Sequence, residues 1–187
     1  MKNLADYIMA FDDCLPTSLC NSLITKFNSC QNLIPRNESW SKDYRAFDEI
    51  NLTGNPIFKS EQDQFYAITN KIYDYYIKTL NIQFMPSKIG YEEVRMKRYI
   101  NNKYDQFGWH TDVNDYKSAR RFLVMFYYLN DVEEGGETIF STDLGDIQFK
   151  PKAGRILIFP PLWLYPHKGM QPISNPKYIV STYCHYL

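Results

Sequence analysis

The chain holds three histidines, and two of them stand where chemistry is possible. His110 opens His110-Thr111-Asp112 inside the stretch "DQFGWHTDV". On an extended segment residues two apart point to the same side, so this imidazole and carboxylate can converge on one ion. Taken alone, the pair describes equally well a histidine near a turn hydrogen-bonded to its own aspartate. A metal site needs a third ligand. His167, which follows the apolar run "RILIFPPLWLYP", is the candidate. Two histidines and one carboxylate form the facial set that suits non-haem Fe(II) and leaves coordination positions open. His185, two residues from the end of the sequence, reads as a surface strand residue and not a ligand.

The elements that must position these residues fall into two halves. After Pro16, the apolar residues Leu19, Leu23, Ile24 and Phe27 recur at the helical period and predict a helix. Phe65, Ile68, Ile72, Tyr75, Tyr76 and Leu80 predict a second, longer one. Between them, residues 31–55 are polar and broken by Pro35 and Gly54, which predicts loops with a short strand around 46–52. Beyond Pro86 the pattern changes to short β-rich runs at 91–100, 121–129, 138–140, 146–149, 155–159 and 177–186. Turn signals such as Glu134-Gly135-Gly136 and Ala153-Gly154 separate them. The expectation is an α+β fold in one domain, 1–187, with N-terminal helices over about 1–85 buttressing a barrel or double-sheet jelly roll over about 90–187.

Composition narrows the class of partner. Lysine plus arginine equals aspartate plus glutamate, 21 each, so no global field favours nucleic acid or an anionic membrane. The first ten residues hold no apolar run of signal-peptide or membrane-span length, which predicts a cytoplasmic protein. Cys14, Cys20, Cys30 and Cys184 form no CxxC pair and are expected to be free thiols. Aromatic residues make up 17%, enough to line a pocket inside a strand-rich core.

From about Arg98 to Tyr186 the sequence resembles the prolyl 4-hydroxylase branch of the Fe(II)/2-oxoglutarate-dependent dioxygenases. The resemblance is carried by His110-Thr111-Asp112, "RFLVMFYYLNDVEEGGETIF", "PKAGRILIFP", His167 and "NPKYIVSTY", in the family's order over nearly half the chain. It implies a double-stranded β-helix (jelly-roll) core, with His110, Asp112 and His167 as iron ligands. In that family a basic residue ten positions beyond the distal histidine takes the far carboxylate of 2-oxoglutarate, and Lys177 stands there. The resemblance also gives Thr138 of the Gly-Gly-Glu-Thr segment and an upstream tyrosine, Tyr99 with Tyr104 as the alternative, to the cosubstrate. Arg121, or its neighbour Arg120, and Tyr183 on the final strand match the residues that shape the peptide site, Tyr183 standing where the family commonly has tryptophan.

The function so implied is a procollagen-type prolyl 4-hydroxylase-like dioxygenase. It would use Fe(II), 2-oxoglutarate and O2, with ascorbate as reductant, to hydroxylate a C–H bond and release succinate and CO2. The expected partner is a proline-containing protein or peptide, with no nucleic acid and no membrane. A hydroxylase of a free amino acid or other small molecule would keep the same iron site. A non-catalytic jelly-roll binding module would have no chemical need for the complete ligand set.

Overall fold

In the computed structural model, residues 2–30, 34–39, 41 and 44–187 are described. The N-terminal half supplies strand β1 (Met9–Phe11), helix α1 (Thr17–Ser29), strands β2 (Arg36–Glu38) and β3 (Arg45–Asn51), and helix α2 (Lys59–Leu80). Strands β4 (Ile89–Tyr91), β5 (Arg95–Tyr99), β6 (Gln106–His110) and β7 (Arg121–Tyr128) follow. The chain continues through β8 (Thr138–Thr142), β9 (Gly145–Phe149), β10 (Ile156–Phe159), β11 (His167–Gly169) and β12 (Lys177–Tyr186). Helix α1 starts directly after Pro16, and α2 stops at Asn81, whose backbone takes the left-handed conformation at φ 50° and ψ 48°. Asparagine tolerates that region better than most residues.

The strands pair in the order β1-β10-β7-β12-β5-β3-β6-β11-β8-β9, with β2 added to β3 and β4 to β12. Every named pairing is antiparallel. The sheet curls into a nearly closed jelly roll, and the two helices cover its outer face. This is the expected α+β architecture. Alternation along the central strands sorts their side chains between two cores. From β7, Leu123, Met125 and Tyr127 join Leu19, Leu23 and Phe27 of α1 and Phe65, Tyr73 and Tyr76 of α2. Val124, Phe126 and Tyr128 of the same strand instead enter the roll with Tyr99, Phe140, Phe159 and Ile179.

The short strand expected around 46–52 is present, and two other features depart from the reading of the sequence. Residues 45–51 form that strand, with β2 along one edge and β5 followed by β6 along the other. Its polar residues are paired across strands: Arg98 donates to Asp48 at 2.6 Å and Arg95 to Glu49 at 3.0 Å. Residues 31–33, 40, 42 and 43 of that region lie outside the described residues. Strand β11 is only three residues long and carries no alternating signature. His185, expected at the surface, is 7% exposed. It pairs with Gly90 of β4, and a Cβ built on Gly90 would fall 2.6 Å from the His185 ring, so the missing side chain leaves the space the imidazole occupies.

The four cysteines are free. No helix among the described residues is long and apolar enough to cross a membrane.

Candidate active site

Strand pairing brings the two site histidines face to face. His110 is the last residue of β6, His167 the first of β11, and the two strands pair antiparallel with these residues directly opposite. Opposed residues on one face of such a ladder have neighbouring Cβ atoms, and here the rings stand 4.3 Å apart between centroids. Asp112 lies just past the end of β6, so the chain turns its carboxylate toward both. Its Oδ1 is 3.7 Å from His110 Nε2 and its Oδ2 is 3.4 Å from His167 Nε2. One ligand atom from each of the three residues falls within 4.8 Å of the others.

The ring orientations prepare these atoms to bind a cation. His110 Nδ1 lies 2.7 Å from the Gly108 carbonyl and His167 Nδ1 lies 3.0 Å from that of Tyr165. A carbonyl only accepts, so both Nδ1 atoms carry the proton and both Nε2 atoms present a lone pair inward. Phe107 stacks on His110 at 3.6 Å and 8°. Phe140 and Phe159 flank His167. Burial, reinforced by the second imidazole, pushes His110 down to about 4, so this ring is neutral at physiological pH. Among the described residues, His167 Nε2 and Asp112 Oδ2 are buried without a hydrogen-bond partner. Orphaned buried atoms of this kind are rare unless a ligand meets them. Two imidazoles and a carboxylate fit a divalent metal, and the donor set suits Fe(II).

The cavity that begins at this triad ends at a buried ammonium. Lys177, the first residue of β12, is 2% exposed and sits opposite Tyr99 of β5, with its Nζ 4.9 Å from the Tyr99 ring. Nζ donates to the Gly136 carbonyl at 2.8 Å. Gly135 and Gly136 have φ of 74° and 77°, where glycine is favoured. A Cβ on Gly135 would collide with the Gln171 carbonyl oxygen. The tight turn thus aims the Gly136 carbonyl at Lys177. Burial pushes Lys177 down to about 7, with Glu137 opposing and Lys97 adding to the shift. Thr138 lines the same cavity, its hydroxyl 2.7 Å from that of Tyr128. Tyr99 is 3% exposed and lines the cavity, whereas Tyr104 is 42% exposed outside it.

Comparison with known proteins agrees with this geometry. Residues 94–185 match the model of the 2OG-Fe(II) oxygenase superfamily, and the match contains the whole triad and Lys177. This stretch of the chain is similar to that superfamily. A PKHD-type hydroxylase of Synechococcus sp. (strain CC9902) is 36% identical over 73 residues, which are 38% of this chain. The chain spans 32% of the length of that curated relative. Among solved structures, a prolyl hydroxylase from Trichoplax adhaerens, in complex with a hypoxia inducible factor oxygen degradation domain peptide fragment, superposes with a TM-score of 0.78. It shares 14% identity over 96% of this chain and 84% of its own. The viral collagen prolyl hydroxylase of Paramecium Bursaria Chlorella virus-1, in its 2OG complex, superposes with a TM-score of 0.73 at 22% identity, covering 97% of each chain. The fold is therefore that of the superfamily's prolyl hydroxylase-like branch.

Within this oxygenase fold, the mouth of the site holds the two residues expected at the substrate. Tyr183 donates its hydroxyl to Asp112 Oδ1 at 2.9 Å. The Arg121 guanidinium lies over the Tyr183 ring at 4.0 Å and donates to the Asp112 backbone carbonyl at 2.9 Å. Its other edge grips Glu92, with Nη2 2.8 Å from Oε2. Arg121 and Tyr183 both line the cleft outside the metal site, yet their polar atoms are directed at Asp112 and Glu92.

Glu92, Lys97 and Asp105 went unnoticed in the sequence. Asp105 is fully buried and accepts from the Ile100 amide at 2.9 Å, from Asn102 Nδ2 at 2.6 Å and from Arg36, fixing the turn that delivers β6 and His110. Its only signal was an aspartate beside Asn101-Asn102, the composition of a turn.

Proposed function

We propose that the protein is an Fe(II)- and 2-oxoglutarate-dependent dioxygenase that hydroxylates a C–H bond, on prolyl residues of a protein or peptide, with release of succinate and CO2. The observation that carries this reading is the pairing of an orphaned His-Asp-His donor set with a buried lysine in one cavity. Fe(II) held by His110, Asp112 and His167 would supply the oxidising chemistry with O2. The chain's own residues bind and orient. Lys177 receives the far carboxylate of 2-oxoglutarate, a charge-assisted contact in a water-poor setting, and Tyr99 and Thr138 complete that end of the cavity. Phe126, Phe140 and Phe159 keep water from the buried side of His167. The Gly108 and Tyr165 carbonyls hold both imidazoles in the metal-binding tautomer.

The prolyl assignment draws on the resemblance in sequence and on a fold shared with prolyl hydroxylases, and Arg121 and Tyr183 stand at the entrance the residue would use. The test is mass spectrometry of proline-containing peptides and cell-extract proteins incubated with enzyme, Fe(II), ascorbate and 2-oxoglutarate. The expected result is one added oxygen on proline with stoichiometric succinate. Efficient turnover of free proline or another small metabolite, with no peptide or protein oxidised, would replace the prolyl-residue assignment by the small-molecule one.

A further inference from the structure

Besides Lys177, the cavity contains a second lysine that the chemistry above does not use. Lys97 lies on β5 two residues before Tyr99, opposite Ile179 of β12, and is 9% exposed. It lines both the metal cavity and the wider cleft outside it, so it stands at the throat between them. An ammonium has three donors. Among the described residues Lys97 Nζ makes one hydrogen bond, to Ser181 Oγ at 3.2 Å. Glu49 Oε2 forms an ion pair with it at 3.8 Å, beyond hydrogen-bonding range, and the other oxygen of that carboxylate is shared with Arg95 at 3.0 Å. The Phe47 ring, 5.5 Å from Nζ, covers one side. A buried cation left with unfilled donors is costly.

The cosubstrate does not account for it. The positive charges of Fe(II) and Lys177 equal the negative charges of Asp112 and 2-oxoglutarate, so that set is balanced without Lys97. The cleft repeats the bias. Arg45 lines it from β3, with a buried Nε that has no hydrogen-bond partner among the described residues, above the Phe107 ring that stacks on His110. We propose that Lys97 receives a carboxylate of the molecule being oxidised, so that the site selects an anionic substrate. The carboxylate belongs to an acidic residue beside the target proline or to a free amino acid. The proposal rests on the oxygenase reading and names the substrate class of that site.

The test is calorimetric binding to the full chain loaded with Fe(II) and 2-oxoglutarate under anaerobic conditions. The probes are proline-centred pentapeptides with Glu or Gln on either side of the proline, and free L-proline against L-prolinamide. At least one carboxylate probe should bind about tenfold or more tightly than its amide partner, the scale of a hydrogen bond to a charged group. Lys97→Met should erase that difference, and Lys97→Arg should restore part of it. Which pair shows the preference identifies the source of the carboxylate. Lys97→Met should also melt no lower than the parent protein, since an apolar side chain of similar length replaces a poorly satisfied buried charge. No preference for carboxylate in the parent protein would overturn the proposal, and that comparison needs no variant. So would a preference that survives in Lys97→Met, or a Lys97→Met loss of 2-oxoglutarate binding as large as its loss of the carboxylate probe. Failure of the oxygenase reading is separate: Fe(II) and 2-oxoglutarate would then not bind together in the parent protein at all.

Discussion

The two faces of the jelly-roll sheet are made by the same strands and have opposite chemistry. Toward the helices, β7 and β12 present Leu123, Met125, Tyr127, Val180 and Cys184 to α1 and α2, and the Tyr127 hydroxyl is satisfied by Thr69 at 2.8 Å. Toward the interior, the alternate positions of β12 are Lys177, Ile179, Ser181 and Tyr183. Of the four buried side-chain atoms without a hydrogen-bond partner among the described residues, Asp112 Oδ2, His167 Nε2 and Arg45 Nε lie at the cavity or its mouth, and His185 Nδ1 lies near the end of β12. One face is closed and self-satisfied. The other keeps polar atoms unmatched where a metal and an anion would meet them. A period of two along the strand thus separates the residues that hold the fold from those that would act.

That separation can be broken by mutation. His167→Ala should lower Fe(II) affinity by more than about a hundredfold, the upper end for loss of even an outer-shell partner, with turnover falling alongside. Equilibrium dialysis with metal analysis measures it, and full iron retention would remove His167 from the ligand set. On the other face, Phe27→Ala should cost about 3–5 kcal/mol of stability, because this fully buried ring packs edge-on against Tyr178 at 5.9 Å. Denaturant unfolding reads the loss. Iron bound per folded molecule should not change, and a parallel fall in affinity would show that the two faces are coupled.

Lys177 sharpens the comparison at the cosubstrate end. Lys177→Ala should weaken 2-oxoglutarate by about 1.5–3 kcal/mol while iron stays bound. Burial holds the free ammonium down to about 7, and a bound carboxylate stabilises the protonated form and so raises that value. Binding therefore takes up a proton above about pH 7, and affinity should fall as pH rises through that point. Lys177→Arg, whose cation does not titrate in this range, should lose this slope even where its larger head weakens binding. A pH-independent affinity in the parent protein would place the far carboxylate elsewhere. The smallest effect belongs to Tyr183→Phe, which removes one hydrogen bond from Asp112 and should weaken iron about tenfold with 2-oxoglutarate dependence little altered. An unchanged iron affinity would return Tyr183 to a purely substrate-facing role.

Much of this arrangement was legible because it repeats locally. The spacing of His110 and Asp112 and the apolar runs of β7 and β10 are visible in a few consecutive residues. The position of Lys177 came from counting within a resemblance. What stayed hidden depends on partners distant in sequence. A strand around 46–52 is legible, but its place inside the sheet is not, because Asp48 and Glu49 look solvated until Arg98 and Arg95 are seen opposite them on β5. Arg121 looked free for a substrate because Glu92 lies 29 residues away. The Tyr183–Asp112 hydrogen bond, between residues 71 apart, has no local signature at all. Lys97 has no local signature either, since only the curl of the sheet turns it inward.

The central claim is that one cavity holds iron and 2-oxoglutarate together, and anaerobic titration of the iron-loaded protein with 2-oxoglutarate tests it most directly. A visible metal-to-ligand charge-transfer band should grow in to saturation for the parent protein, be absent in His167→Ala, and require a higher 2-oxoglutarate concentration in Lys177→Ala. Folded protein that binds Fe(II) yet develops no such band at any 2-oxoglutarate concentration would contradict the account.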